Sequence, residues 1–145
     1  MPEDEETIRR LIVELQVLQG TVENLQSRIG LTNAAINDLQ IAAETIEGLK
    51  EEKEGSQLLV PIGGGSYLKA KVEDSERLIV GLGANIAAEK SVGEAKDGFE
   101  TRILRLEKMR NGLQKQLEET FTRVNNTRNQ IQILSERLRE GKQNV

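Results

Sequence analysis

The chain has 145 residues, enough for one ordinary domain, but only 37% are hydrophobic and 2% aromatic, which is poor stock for a compact core and favours an elongated shape. It contains no cysteine and no histidine, so a disulfide framework, a thiolate metal site and the commonest general base are all excluded. The formal net charge of -4 argues against a grip on nucleic acid, which needs lysine and arginine massed on one face.

The opening Met1-Pro2-Glu3-Asp4-Glu5-Glu6 is acidic where a secretory signal is basic, and no apolar run approaches the ~20 residues that span a bilayer. A cytoplasmic protein with no membrane partner is the expectation. From Ile8 the large apolar residues step by three and four without a slip. Ile8, Leu15, Val22, Ile29, Ile36 and Ala43 take position a of a heptad, and Leu11, Leu18, Leu25, Thr32, Leu39 and Ile46 take position d. This spacing predicts a first helical arm within residues 1–57, roughly 65 Å long at 1.5 Å per residue. The acidic opening suits a helix N-terminus, and Gly55-Ser56 offers a stop. Gly20, Gly30 and Gly48 lie inside the arm but off its seam, each costing about 1 kcal/mol relative to alanine.

Residues 58–90 change period. Leu58, Leu59, Val60 and Ile62 form a short apolar run ending at Gly63-Gly64-Gly65, after which Ser66 to Val72 alternates as a strand does. Tyr67, Lys69 and Lys71 share one face, and Leu68, Ala70 and Val72 the other. After Glu73-Asp74-Ser75-Glu76 a second hairpin is predicted, with Leu78 to Leu82, a turn at Gly83-Ala84, then Asn85 to Glu89. Two short hairpins leave backbone edges unpaired and bury too little apolar surface to stand alone, so partner strands from other chains are required. The candidate oligomerisation residues are Leu58, Val60, Ile62, Leu68 and Val72 in the first hairpin and Leu78, Val80, Leu82 and Ile86 in the second. Pro61 lacks an amide proton and suits an edge or a bulge.

Ser91-Val92-Gly93-Glu94 has the spacing of a capping box and opens a second arm over residues 91–145. Its seam runs through Val92, Lys96, Phe99, Ile103, Leu106, Arg110, Leu113, Leu117, Thr120, Val124, Thr127, Ile131, Leu134 and Leu138. Residues 1–57 carry 12 acids and 5 bases, net -7; residues 92–145 carry 8 acids and 11 bases, net +3. The arms attract each other, and the strands between them return the chain antiparallel. Pairing positions whose numbers sum to 142 sets a against d throughout, for example Leu18 with Val124, Leu25 with Leu117 and Ile36 with Leu106. The same register places Thr32 opposite Arg110, whose charged head must reach water, and small Ala43 opposite bulky Phe99. The fold class is therefore α+β: a long antiparallel two-helix coiled coil with two β-hairpins between the helices.

The order of heptad arm, LLVPIGGGSYLKAKV, RLIVGLGANIAAEKS and second arm resembles the alpha-type subunit of the prefoldin family. The specific pieces are Val60-Pro61-Ile62-Gly63-Gly64-Gly65-Ser66, similar to that family's VPxGxGS element, and Val80-Gly81-Leu82-Gly83-Ala84, similar to its second hairpin. The presence of two hairpins favours the alpha over the beta class. The resemblance implies an archaeal or eukaryotic hetero-hexamer of two alpha-type and four beta-type subunits, its hairpins joined in intersubunit β-barrels. It also implies an ATP-independent co-chaperone without cofactors, which captures unfolded client proteins at the arm tips and passes them to a group II chaperonin. Carried over by position, the client-binding tip comprises Ile8, Leu11, Ile12 and Val13 with Ile131, Ile133, Leu134 and Leu138. Ile12, Val13 and Ile133 lie off the seam, and an exposed apolar patch usually marks a contact surface.

Other signals have plainer readings. No lysine followed by serine or threonine comes after Gly63-Gly64-Gly65, so it is a turn rather than a phosphate cradle, and Gly81-Leu82-Gly83 lacks the third glycine of a dinucleotide fingerprint. Glu51, Glu52 and Glu54 are a solvated helix end; Arg102, Arg105, Lys108 and Arg110 form a basic face with the better claim to protein docking. No enzymatic motif is present. The competing function is a structural filament or spacer assembled through the hairpins, which follows if the strand edges are self-complementary.

Overall fold

The computed structural model describes residues 2–143. In chain order the elements are α1 (Pro2–Leu49), β1 (Gln57–Gly63), β2 (Ser66–Lys71), β3 (Arg77–Gly83), β4 (Ile86–Ser91) and α2 (Val92–Gln143). Two long helices with two antiparallel hairpins between them give the α+β class that the two periodicities predict. Two compact units make up the chain: one holds α1 up to Asn33 and α2 from Lys108, the other runs Ala34–Glu107.

Pro2 opens α1 at a position where its missing amide proton costs nothing, and Glu3, Asp4 and Glu5 fill the first turn, where negative charge complements the helix dipole. The helix ends at Leu49, six residues before the stop that Gly55 suggests. Its last turn carries no basic residue, and Glu51, Glu52 and Glu54 would set like charge on the negative end of the dipole if the helix continued. The chain instead passes through loose turns, with Glu52 N donating to Leu49 O and Ser56 N to Lys53 O. At the other end of the strands Ser91 Oγ accepts a hydrogen bond from Glu94 N at 3.2 Å, the N-cap that opens α2.

In the unit containing the helix ends, Leu11, Leu18, Leu25 and Thr32 of α1 and Leu113, Thr120, Val124 and Thr127 of α2 are buried. Thr32 and Thr120 return their hydroxyls to the carbonyls of Arg28 and Gln116, at 2.8 and 2.7 Å, so neither buried oxygen is orphaned. Arg110 Nη1 donates to Asn33 Oδ1 at 3.4 Å, carrying its head past the seam as the register requires; Arg123 pairs with Glu14 and Arg137 with Asp4 at 3.7 and 3.8 Å. In the other unit Ile36, Leu39 and Ile46 are buried, and Lys96 meets Glu47. The numbers in the three pairs of the first unit add to 137, 141 and 143, which bracket the expected 142, and the one pair of the second, Glu47–Lys96, adds to 143.

Each hairpin is a separate two-stranded sheet, β1 with β2 and β3 with β4. Leu58 faces Ala70 and Val60 faces Leu68; in the second hairpin Leu78 faces Lys90 and Val80 faces Ala88. Both hairpins share one turn geometry. The register slips between Pro61 and Gly63 and between Gly81 and Gly83, leaving Ile62 and Leu82 as the extra residues of bulges. The turns lie at Gly64-Gly65 (φ 59° and 72°) and Ala84-Asn85 (φ 49° and 62°), with two consecutive positive φ values as a type I′ turn demands. The second turn is thus one residue later than Gly83-Ala84, because Gly83 (φ 101°) is consumed by the bulge, and β4 begins at Ile86 rather than Asn85.

Candidate functional site

Hydrogen-bond alternation decides which backbone groups of the hairpins are free. Val72 N donates to Ser56 O at 2.9 Å, and Val92 N donates to Glu76 O at 3.0 Å. Bonded pairs alternate with unbonded ones in an antiparallel ladder, so Leu58–Ala70, Val60–Leu68, Leu78–Lys90 and Val80–Ala88 are the bonded pairs. The intervening residues turn their N–H and C=O groups to the free edges. Pro61, opposite Tyr67, falls in an unbonded pair, where a residue without an amide proton breaks no bond inside the hairpin but leaves a gap in the outer edge of β1.

The hairpin faces divide the predicted oligomerisation residues. Leu58, Val72, Leu78 and Val80 are half-buried, whereas Val60, Ile62, Leu68, Leu82 and Ile86 are exposed. The alternation that selected one face passed over Leu59, Tyr67 and Ile79 on the other, and Ile79, at 82% exposure, is the most open large apolar side chain of the described residues. Ala95 was also missed. At 2% exposure it is the most buried of the core residues, and as a small side chain one position off the seam it carries no periodic signal. It lines a cleft of about 260 Å³ with Leu82, Gly98 and Phe99 and the charged Lys90, Glu94 and Arg102.

At the helix ends the predicted tip residues divide as well. Leu11 is buried at 7% exposure, and Ile8, Ile131, Leu134 and Leu138 are half-buried, all at seam positions that pack one helix on the other. Ile12, Val13 and Ile133 are exposed, the last two at 59% and 57%. Val17, one turn beyond Val13, extends this exposed set, and it carries the same off-seam apolar signal that marks Val13. Leu11, Ile133 and Leu134 come together with the stems of Thr7, Arg10 and Gln130 around a shallow cleft of about 260 Å³. Chemically this surface offers aliphatic contact at the margin of a two-helix seam. No group of three or more acidic residues among the described residues is placed to hold a metal ion. No helix among them is long and apolar enough to cross a membrane.

The prefoldin-subunit family model matches residues 18–137. The chain is 38% identical over 103 residues to prefoldin subunit alpha 1 of Thermococcus kodakarensis, covering 71% of this chain and 70% of that relative. It is 35% identical over 115 residues to prefoldin subunit alpha of Methanopyrus kandleri, covering 79% and 73% respectively. Among solved structures it is similar to a filamentous PFD from Methanocaldococcus jannaschii determined by cryo-electron microscopy, with a TM-score of 0.68 and 29% identity over 77% of this chain and 93% of that one.

Proposed function

This chain belongs to the prefoldin family, and we propose that it is the alpha-type subunit of an ATP-independent holdase, which captures unfolded polypeptides at its helix tips and delivers them to a group II chaperonin. Two such chains would join four beta-type subunits, their hairpins completing shared β-barrels. The observation that carries client capture is the exposed aliphatic set Ile12, Val13 and Ile133, beside a cleft that seam packing leaves unfilled. Solvent-exposed aliphatic side chains at the end of a two-helix seam do nothing for the fold, but they offer non-directional attraction to any chain with apolar surface. Leu11 serves this surface from beneath, as packing.

The test is light scattering of a chemically unfolded client diluted without nucleotide into the complex reconstituted with a beta-type subunit. The intact complex is expected to suppress aggregation, and one in which Ile12, Val13 and Ile133 are all changed to serine to lose most of that effect. Equal suppression by both would move capture to the partner subunits.

The similarity to a filamentous PFD supports a second reading, a filament or spacer built from copies of this chain. Charge weighs against it. The four strands carry Lys69, Lys71, Arg77 and Lys90 against Glu89 alone, four bases to one acid, so like hubs repel. Sedimentation of the pure chain separates the readings, since a ladder of sizes growing with concentration would favour the filament.

A further inference from the structure

The unit that holds both helix ends carries a second groove, larger than the tip cleft and different in chemistry. At about 370 Å³ against about 260 Å³, it falls in the lower part of the ~300–1,000 Å³ range of ligand pockets. The seam itself opens it. The register sets Thr120 opposite Val22, and Thr120 is a short side chain whose hydroxyl is turned back to the carbonyl of Gln116 at 2.7 Å, so packing narrows there. Val124 is buried beneath the groove, Val22 is half-buried, and Phe121 stands at its side with 42% of its surface exposed. Phe121 is the only aromatic residue in the sequence of this unit, since Tyr67 and Phe99 belong to the other. Gln19, Gln26 and Asn125 line the rim with amides that both donate and accept, and Glu23 and Arg128 add one charge of each sign. Ile12 precedes Gln19 by seven residues, two helical turns, and so lies on the same flank of α1.

Resting on the client-capture reading above, we propose that this groove is a second client subsite, which seats an aromatic side chain of an extended, neutral polypeptide segment against Phe121. The segment's backbone N–H and C=O groups meet the amides of Gln19, Gln26 and Asn125, and the balanced charges of Glu23 and Arg128 favour neither an acidic nor a basic segment. A helical occupant, a second copy of this chain included, has its backbone groups already bonded and makes no use of such a rim. The tip and the groove then read different side chains of one client, aliphatic at Ile12 and aromatic at Phe121. From Ile12 to Val22 is ~15 Å along the helix axis, which about four or five residues of an extended chain span at ~3.3 Å each.

Two fluorescently labelled, permanently unfolded polypeptides test this. Both are neutral and carry an isoleucine; four residues further on, one has phenylalanine and the other leucine. Affinities for the complex reconstituted with a beta-type prefoldin subunit are read by fluorescence anisotropy. The wild-type complex is expected to bind the phenylalanine polypeptide about 2- to 10-fold more tightly, the size of an aromatic pair. Phe121→Leu, at an exposed position with a better helix former, is expected to abolish that preference while leaving affinity for the leucine polypeptide within about 2-fold. Ile12→Ser is expected to weaken both polypeptides and keep the preference. A wild-type complex without preference, or a preference that survives Phe121→Leu, overturns the proposal while leaving client capture intact. Absence of binding of either polypeptide to the wild-type complex overturns both.

Discussion

Lys96 Nζ lies 2.5 Å from Glu47 Oε1, tying the last turn of α1 to the start of α2 beside the hairpins. Lys96, followed by Lys50, holds the Glu47 carboxyl below its usual value of 4.5, and Glu47 raises Lys96 above 10.5. Glu47 therefore contributes stability that is present above about pH 4.5 and lost as pH falls through its depressed folded value. The Lys96 contribution is present below about pH 10.5 and lost as pH rises beyond it. Urea midpoints of wild type and Glu47→Gln should differ by a small constant amount across that window and converge in acid. Because both side chains are substantially exposed, 1 M salt should shrink the difference.

Leu25 and Val17 both lie on α1 and differ in what surrounds them. Leu25, at 4% exposure, fills the seam, and Leu25→Ala should cost about 2–5 kcal/mol. Val17 is exposed, and Val17→Ala should stay within about 0.5 kcal/mol. Denaturant unfolding of the reconstituted complex checks both. Similar losses would mean that Val17 is covered in the assembly.

Thr127 is buried in the second seam, at a place the register sets opposite Leu15. Leucine there adds apolar contact between the helices, so Thr127→Leu should raise stability by about 1 kcal/mol, read as a higher urea midpoint.

Ala84 holds φ at 49°, a left-handed conformation that costs a non-glycine residue roughly 1–2 kcal/mol, and the same place in the first hairpin is Gly64. Asparagine tolerates this conformation better. Ala84→Asn should slow hydrogen exchange of the β3–β4 amides by a few-fold, consistent with about 0.5–1 kcal/mol.

Gly30 sits in mid-helix with open space where a Cβ would go. Gly30→Ala should stabilise α1 by up to about 1 kcal/mol and slow exchange of neighbouring amides.

Much of this protein was determined by its sequence alone. A heptad pattern commits one face of each helix to the seam, and opposing a to d positions across an antiparallel pair leaves few registers that also let Arg110 reach water. The register therefore followed from local periodicity, and the pairs Asn33–Arg110 and Glu47–Lys96 agree with it. The cap at Ser91 was legible for the same reason, since a capping motif is a short-range event. What only the tertiary structure decided depends on groups meeting across space. Bulges at Ile62 and Leu82 moved the second turn to Ala84-Asn85, because the ladder on both sides of a hairpin has to close before the turn residue is fixed. The burial of Ala95 and the cleft between β3 and α2 arise where a strand lies against a helix, and no periodicity within either element encodes that contact. The division of the tip into packed Leu11 and exposed Val13 likewise required the second helix in place, since exposure is a property of the pair rather than of either sequence.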